Sequence, residues 1–532
     1  MLPCLLYEDD HLLVVNKPAG LNTHAPDPYA GEGIYDWLRN RESRWADLAI
    51  IHRLDKETSG VLVFSKSALA NRSLTDQFTK RTVRKRYVFV TDRAVPAKPI
   101  TIQSALIRAG DKYLSRPNSA GGQPAETRFI PESGKAGGFR LMAAEPLTGR
   151  THQIRVHAAE KGFPILGDTL YGGTPAARVF LHAAELALEH PATGESMTLR
   201  AAPDFDADAR LRLREELIES KLTNAYRLVH GASDVGPGWY VERLGDYLLS
   251  QSEGACSYVQ QERLKRLAEV CSARGVYHKV LNRQIRRTAP TDASAQLVFG
   301  EEAPERFVIR ENDVQFELSF REGYSAGLFL DQRDNRRRLL CGHIGAGFEA
   351  WNGLGRNEAP EVLNTFAYTC GFSVCAARGG ARTTSLDLSK KYLEWGRRNC
   401  VLNNLNPGEH DFIFGDTFDW LRRLAKKGRW FDLVLLDPPT FSQSKESGVF
   451  RVEKDYGRLV SAALPVLKPG GVLFTSTNAA DWEPASFMQA IEEACRAAKR
   501  KILQRHYVPQ PPDFPISRRE PAYLKTVWLR IA

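Results

Sequence analysis

Short apolar runs, broken by charged turns and by turns rich in Gly and Pro, set the rhythm of the first two hundred or so residues. Leu12–Val15 reads as a strand, closed by the turn Asn16, Lys17, Pro18, Ala19 and Gly20, which puts Lys17 at a loop tip. Val61–Phe64 is an apolar run of the kind a buried strand needs, entered from the charged turn Ile51–Ser59 and Gly60. A helical stretch follows, and Tyr87 then opens the apolar strand YVFV. Within Pro146–Gly173, Gly149 permits a tight turn. Arg150, His152, Gln153, Arg155 and His157 supply donors there, and Ile154 and Val156 alternate with them as a half-buried strand would.

Ala202–Lys221 is rich in Asp, Arg, Glu and Leu, and LRLREELIESK reads as a charged helical connector. Beyond it, two apolar strands around a Gly-Pro turn, a helix through ERLKRLAEV and a strand beginning at Val276 make a small α/β unit. RFVIRENDVQFELSF alternates like a hairpin. VLNTFAYTCGFSVCAARGGARTTSLDLS, FDLVLLDPPTFSQSK and LKPGGVLFTSTN each pass from an apolar strand into a polar turn, with helices between. That is the pattern of a parallel α/β sheet with ligands at the carboxyl ends of its strands. The expected organisation is multidomain. An α+β domain with a mixed or antiparallel sheet spans 1–205 and a linker 206–222. A small α/β subdomain with its hairpin spans 223–322, and a Rossmann-like sheet 323–532.

With 43% hydrophobic and 26% charged residues, the 532-residue chain has a folded balance and is too long for a single core. A net charge of +10 and a pI near 9.1 favour a polyanionic partner, because clustered cations displace counterions condensed on phosphates. Lys80, Arg81, Arg84, Lys85 and Arg86 form one cluster; Arg333, Arg336, Arg337 and Arg338 form another. Eight cysteines without a CxxC pair signal neither a metal site nor a disulfide framework, and suit a reducing cytoplasm. The N-terminal segment lacks the basic start of a signal peptide, and no apolar run is long enough to span a bilayer.

Asp55 stands among His52, Arg53, Lys56 and Glu57, immediately before a core strand. Cationic neighbours keep such a carboxylate ionised at neutral pH, and at the rim of a cleft it can act as a nucleophile. HRLDKETSG, with NKPAGL before it and PLTGRTHQIRVHAAEKGFPILGDTLYGG and LHAAELALEHPATGE after it, resembles the RluA family of RNA pseudouridine synthases. The resemblance implies that Asp55 is the catalytic carboxylate, that Tyr87 stacks on the target base, that Arg155 pairs with Asp55 and that Ile154 packs beneath Tyr87. A uridine must leave the RNA stack before its glycosidic carbon can be reached, so an aromatic platform and phosphate donors are required. Lys17, Arg53, Arg84, Arg86, His152 and Gln153 are the expected RNA contacts. Asp55 then attacks the ribose C1′ or removes the 2′ proton, and uracil rotates and rejoins through carbon. Neither route requires a cofactor or a metal.

In the second half, Asp387 ends the second strand of the parallel set, where a carboxylate can accept from two ribose hydroxyls. The turn Thr369–Gly371 lets a ligand approach the backbone. TCGFS is not GxGxxG, which favours S-adenosylmethionine over a nicotinamide cofactor. From Thr223 onward the chain is similar to the RlmK/RlmI group of large-subunit rRNA methyltransferases, through GLFLDQR, NTFAYTCGFS, LDLSKKYLEW and DPPTFSQSK. That similarity implies S-adenosylmethionine contacts from Phe366, Tyr368, Gly371, Asp387 and Asp416, with Gln332 and Arg333 nearby. It places Asp437, Pro438 and Pro439 against the methyl-accepting base. Asp416 also suits a helix cap.

Methylating cytosine C5 requires a covalent adduct at C6, normally from a cysteine thiolate, whereas guanine N7 already offers a lone pair. The RlmI-like members carry a cysteine after the later strand; here that stretch is FTSTN and the loop after DPP is TFSQS. Guanine N7 is therefore expected, with cytosine C5 the alternative. The chain reads as a two-headed enzyme of large-subunit rRNA, with tRNA a second candidate for the first half. The competing reading is a non-catalytic RNA-binding assembly factor.

Overall fold

The computed structural model describes residues 2–136, 138–281, 294–321, 325–351, 358–444, 446 and 448–532. Two compact units divide the chain: Met1–Ala25, Gly33–Arg39 and Asp47–Glu219 form the first, and Pro26–Glu32, Asn40–Ala46 and Ser220–Ala532 the second.

Eleven strands of the first unit make one mixed sheet. Leu12–Lys17, Ser59–Ser65, Leu181–Glu189, Arg84–Thr91 and Phe139–Pro146 lie side by side, followed by Gln123–Ala136, Ile100–Ala109 and Lys112–Arg116. Leu181–Glu189 is parallel to Ser59–Ser65 and antiparallel to Arg84–Thr91. One core gathers Leu12, Val14, Val61, Val63, Leu186 and Leu188 with the helix Ala68–Lys80; another gathers Phe89, Phe129, Met142 and Phe163 with Ile154.

Gly60, where the Asp55 turn enters its strand, has φ +117, and a Cβ there would lie 2.3 Å from the carbonyl oxygen of Ala183. That neighbour is backbone in the adjoining strand and cannot move aside cheaply, so only glycine fits. Gly60→Ala is expected to cost the first unit about 3 kcal/mol or more, seen as a lowered urea midpoint; an unchanged midpoint would refute the steric account.

Gln153–Glu160 is a helix, not a half-buried strand. Gln153 through Ala158 are all buried, so neither face meets water and the alternation of Ile154 and Val156 carries no information about a solvent face. The expected linker 206–222 contains the helix Ala209–Leu217, whose Leu213, Arg214 and Leu217 are buried in the first unit. The Cys4 N–H donates to the Glu216 carbonyl at 2.9 Å, and the division between units falls after Glu219. The boundary expected at 322/323 lies outside the described residues.

The second unit opens with a five-stranded sheet, Ala225–His230, Trp239–Leu244, Tyr247–Ser252, Gly275–Val280 and Gln296–Gly300, in which the helix Tyr258–Cys271 links a parallel pair. The hairpin Phe307–Glu311 and Val314–Leu318 turns at Asn312 and Asp313, with φ +51 and +63. The larger sheet contains β1 Glu361–Thr365, β2 Arg382–Asp387, β3 Asp411–Phe414, β4 Phe431–Leu436, β5 Leu467–Thr477, β6 Ile502–Val508 and β7 Lys525–Ile531. Their order is β3-β2-β1-β4-β5-β7-β6, with β7 antiparallel to both neighbours. Successive residues enter different cores: Val362, Leu433, Leu435 and Phe474 go to one, and Leu363, Val434, Leu436 and Leu473 to the other. Burial on both faces is why apolar residues run consecutively through Leu433–Leu436 and Val472–Phe474 rather than alternating with polar ones. No helix among the described residues is long and apolar enough to cross a membrane.

Candidate active sites

The Asp55 turn is fixed by its backbone. Thr23 Oγ1 donates to the Leu54 carbonyl (2.8 Å) and accepts from the Leu54 N–H (3.1 Å), while the Gly20 N–H donates to the Lys56 carbonyl (2.8 Å). Lys17, expected at a loop tip on RNA, is instead the last residue of its strand and fully buried. Its Nζ donates to the carbonyls of Pro18 (2.9 Å), Leu21 (2.7 Å) and Lys56 (3.3 Å). Burial pulls its pKa down to about 7, with the Glu57 and Asp55 charges opposing. Lys17 ties the NKPAG turn to the Asp55 turn and has no reach toward a phosphate.

The carboxylate of Asp55 faces the helix Gln153–Glu160. Arg155 Nη1 lies 3.4 Å from Asp55 Oδ2 and 3.9 Å from Glu57 Oε2. Arg155 is aimed by Asp168, through Nε to Oδ2 (2.7 Å) and Nη2 to Oδ1 (2.8 Å). Burial alone would lower the Arg155 pKa, but the hydrogen bonds and charge of Asp168, with the charge of Asp55, hold it above its ordinary value. Tyr87 packs against the cluster containing Ile154, and burial, then the Asp55 charge, push its phenol pKa up. His152 has φ +57; its Nδ1 is 2.8 Å from the Tyr171 hydroxyl and its Nε2 is 3.8 Å from Asp55 Oδ2.

Gln153, expected on RNA, is buried. Its Oε1 accepts from the Thr148 hydroxyl (2.7 Å) and the Arg150 N–H (3.1 Å), and its Nε2 donates to the Glu126 carbonyl and Thr127 Oγ1 (2.9 Å each). It braces the turn before the helix. Arg53 and Arg84 are exposed, and Arg86 pairs with Glu132 at 2.5 Å. Sequence reasoning misses Asp168 and Tyr171 as members of the site. Both lie within the stretch GDTLYGG, but only the fold carries them back to Arg155 and His152.

His157, on the same helix, sits between Ser104 Oγ (3.0 Å from Nε2) and Thr127 Oγ1 (2.9 Å from Nδ1). Burial lowers the pKa of His157 to about 4, and that of His182 likewise. The unfolded chain takes up these protons near pH 6.5 and the fold only near 4, so stability falls as pH drops through that window. The urea midpoint should fall between those pH values, and His157→Gln should remove about one proton from the slope. An unaltered slope in that variant would exclude His157.

At the carboxyl end of β1, Phe366, Tyr368 and Cys370 take φ +57, +49 and +62. Left-handed backbone costs side-chain-bearing residues about 1–3 kcal/mol each. It is held by the Ala367 N–H on the Leu386 carbonyl (3.0 Å), the Thr369 hydroxyl on the Gly327 carbonyl (2.6 Å) and Asn399 Nδ2 on the Thr369 carbonyl (3.0 Å). Asp387 Oδ2 accepts from the Tyr368 N–H and Oδ1 from the Ser389 N–H, both at 2.8 Å, while burial raises its pKa. Gly371 serves close packing: a Cβ would meet Leu328 Cδ1 at 2.9 Å. Tyr368 stands 4.5 Å from Tyr392 and 5.5 Å from Phe329, ring centre to ring centre. A carboxylate fixed by two N–H groups keeps lone pairs for a ribose diol, with an aromatic group beside it, so these residues fit the nucleoside of S-adenosylmethionine.

Gln332 Nε2 donates to Ser476 Oγ (2.9 Å), and Gln332 Oε1 accepts from Asn335 Nδ2 (2.8 Å). Arg333 is buried and paired with Asp513 through two bonds (2.9 and 2.5 Å), and Arg336 is paired with Glu311 through two (2.7 Å each). Arg338 is buried as well, its Nε donating to the Ile344 carbonyl (2.8 Å). The run expected as a phosphate-binding cluster is thus mostly interior, its charges neutralised by distant carboxylates. Asp416 caps the helix Thr417–Lys426, accepting from the Asp419 N–H (3.0 Å), and its second oxygen accepts from the Ser444 hydroxyl (2.7 Å).

Asp437 and Pro438 follow β4; Pro438 is buried and Pro439 exposed. Burial raises the Asp437 pKa to about 6, with a hydrogen bond from Ser476 opposing. The Tyr456 hydroxyl lies 3.1 Å from the Leu436 carbonyl and 3.0 Å from that of Ser476, and accepts the Ser476 N–H (2.8 Å), joining the ends of β4 and β5. Ser476, flanked by Thr475 and Thr477, occupies the β5 end. Cys370 and Cys375 are buried, and burial raises both thiol pKa values.

A β3-β2-β1-β4-β5-β7-β6 sheet with a carboxylate ending β2 and DPP ending β4 defines a class of S-adenosylmethionine-dependent methyltransferases. Residues 259–530 match the S-adenosylmethionine-dependent methyltransferase family, and residues 11–160 match the RNA pseudouridylate synthases. The chain belongs to this methyltransferase family and carries an RNA pseudouridylate synthase domain ahead of it. It is 34% identical to a ribosomal RNA large subunit methyltransferase of Deinococcus radiodurans, over 58% of this chain and 73% of the relative. It is 39% identical to ribosomal large subunit pseudouridine synthase C of Yersinia pestis, over 38% of this chain and 66% of the relative. A solved methyltransferase complexed with SAH is 27% identical, with a TM-score of 0.50, over 71% of this chain and 98% of that one.

Proposed function

We propose that the first unit isomerises uridine to pseudouridine and the second methylates a base of large-subunit rRNA, with guanine N7 the acceptor. The observation that carries the first half is Asp55 at 3.4 Å from an Arg155 that Asp168 holds in place, with Tyr87 packed against the core that contains Ile154. Asp55 is the reacting carboxylate, Tyr87 stacks on the flipped base, and Arg53, Arg84 and Arg86 meet phosphates. In the second half, Asp387 and the loop Phe366–Gly371 hold S-adenosylmethionine, which supplies an electrophilic methyl group when bound. Asp437, Pro438 and Pro439 position the acceptor base. Ser476 at the end of β5 supports N7 over cytosine C5, which needs a thiolate at its C6. The names of the relatives support large-subunit rRNA as the RNA, and a cytoplasmic enzyme suits that substrate.

The test is to incubate the full chain with unmodified large-subunit rRNA and S-adenosylmethionine, then digest to nucleosides for mass spectrometry. Pseudouridine and 7-methylguanosine are expected together; if neither forms on rRNA or on tRNA, a docking role replaces catalysis.

A further inference from the structure

Two carboxylate oxygens of Asp55 face different surroundings. Oδ2 has Arg155 Nη1 at 3.4 Å and His152 Nε2 at 3.8 Å. Among the described residues no hydrogen bond is made by Oδ1. What His152 offers to Oδ2 depends on which ring nitrogen bears the proton, and the neighbours decide that. The Tyr171 oxygen accepts the backbone N–H of Tyr113 at 2.9 Å. Among the described residues its own proton then has one side-chain acceptor within reach, His152 Nδ1 at 2.8 Å. A neutral imidazole that accepts at Nδ1 carries its hydrogen at Nε2, the nitrogen that faces Asp55. Arg155 stacks over the Tyr171 ring at 5.2 Å and holds Asp168, so the groups around His152 are Asp55, Glu57, Arg155, Asp168, Tyr171 and the Tyr113 ring. The left-handed backbone of His152, with φ +57, puts the ring on this side of the helix start.

We propose that His152 is a positioning residue of the isomerase site. Its Nε2–H, set by Tyr171, turns its positive end toward Asp55 Oδ2 from 3.8 Å and adds to the charge of Arg155 beside that oxygen, so that Oδ1 is the oxygen presented to the ribose. This rests on Asp55 being the reacting carboxylate. One free oxygen suffices for either route. In attack at C1′ an O–C bond forms as the C1′–N1 bond breaks, its electron pair leaving on uracil. In the elimination route the 2′ proton moves to Oδ1, the C2′–H pair forms the C1′–C2′ double bond, and the C1′–N1 pair again leaves on uracil. A histidine with its hydrogen at Nδ1 instead would turn a lone pair toward the carboxylate and push it out of line.

The test uses the full chain and a large-subunit rRNA transcript labelled with tritium at uridine C5, read as tritium release across RNA concentrations. His152→Asn keeps a residue that tolerates left-handed backbone but is too short to reach Asp55. It should lower kcat on the order of 10²-fold while KM stays within about twofold, as expected for a misplaced reacting group. His152→Gln, which restores an N–H at similar reach, should recover most of that loss, and Tyr171→Phe, which frees the tautomer, should fall between. An unchanged kcat in His152→Asn overturns the proposal. So does a loss confined to KM, which would make His152 an RNA contact, and so does a Gln variant as slow as the Asn variant. Should His152→Asn fail to fold, a Tyr171→Phe slower than His152→Gln supports the proposal, and a Tyr171→Phe as fast as the parent overturns it. Asp55→Asn is run alongside; near-parent activity there removes the underlying reading, an outcome distinct from a failure of His152 alone.

Discussion

Asp55→Asn is expected to abolish pseudouridine formation, by on the order of 10⁴-fold or more, while RNA affinity and methyl transfer stay close to the parent's. Asparagine is nearly the same size, and the turn that carries it is held by Thr23, Gly20 and Lys17 through backbone groups the substitution leaves alone. Arg155 keeps both bonds to Asp168, so no buried cation is stranded. What disappears is the charged oxygen that either route needs. In the proposed reading affinity rests on exposed cations such as Arg53 and Arg84, and methyl transfer on Asp387 and Asp437, which belong to the other unit. Tritium release at saturating RNA, filter binding and methyl incorporation from one preparation separate these effects. Pseudouridylation near the parent rate would remove Asp55 from the chemistry.

HRLDKETSG could be read as a reactive turn because its information is local: a carboxylate among cations, a glycine, then a core strand. Arg155 and Tyr87 were reachable through the wider motif, and the structure sets Arg155 3.4 Å from Asp55 and Tyr87 against the core that contains Ile154. Lys17 was not legible. A lysine beside Pro and Gly looks like a solvated loop, and its three carbonyl acceptors become partners only when two turns fold against each other. The same limit applies to Arg333 and Arg336. A run of arginines reads as a surface for phosphate, yet their partners Asp513 and Glu311 lie 180 and 25 residues away. Sequence shows charge; only folding shows whether it is already neutralised.

Short buried elements fail for a related reason. In Gln153–Ala158 polar and apolar residues are equally hidden, so hydrophobic period cannot distinguish helix from strand. The sheet of the second unit was easier to read, because Phe431–Leu436 and the middle of Leu467–Thr477 are apolar runs, and carboxylates at Asp387 and Asp437 mark strand ends. The left-handed residues Phe366, Tyr368 and Cys370 give no such signal. None is a glycine, and their conformation is imposed by Asp387, Gly327 and Asn399 from other segments.

The methylated atom gives the second large effect. If Asp437–Pro439 present guanine N7, the acceptor lone pair takes the methyl group in one displacement, and no enzyme thiol is needed. Cys370 and Cys375 are buried, with thiols that burial keeps protonated, and Ser476 stands at the end of β5. A Cys370→Ala, Cys375→Ala double variant should therefore still methylate at saturating cofactor, although Cys370 packs tightly enough that a Cβ on Gly396 would lie 2.3 Å from its sulfur. Weaker cofactor binding from that lost packing is expected; lost chemistry is not. Methylation at N7 leaves the purine cationic, and an ionised Asp437 stabilises that charge as it develops. Because the Asp437 pKa is raised to about 6, the rate should fall as pH drops through that value, and Asp437→Asn should be slow at every pH. Nucleoside mass spectrometry should find 7-methylguanine. Finding 5-methylcytosine instead, or trapping a covalent complex on RNA containing 5-fluorocytosine, would overturn the assignment and require a thiol that reaches the base from another part of the fold.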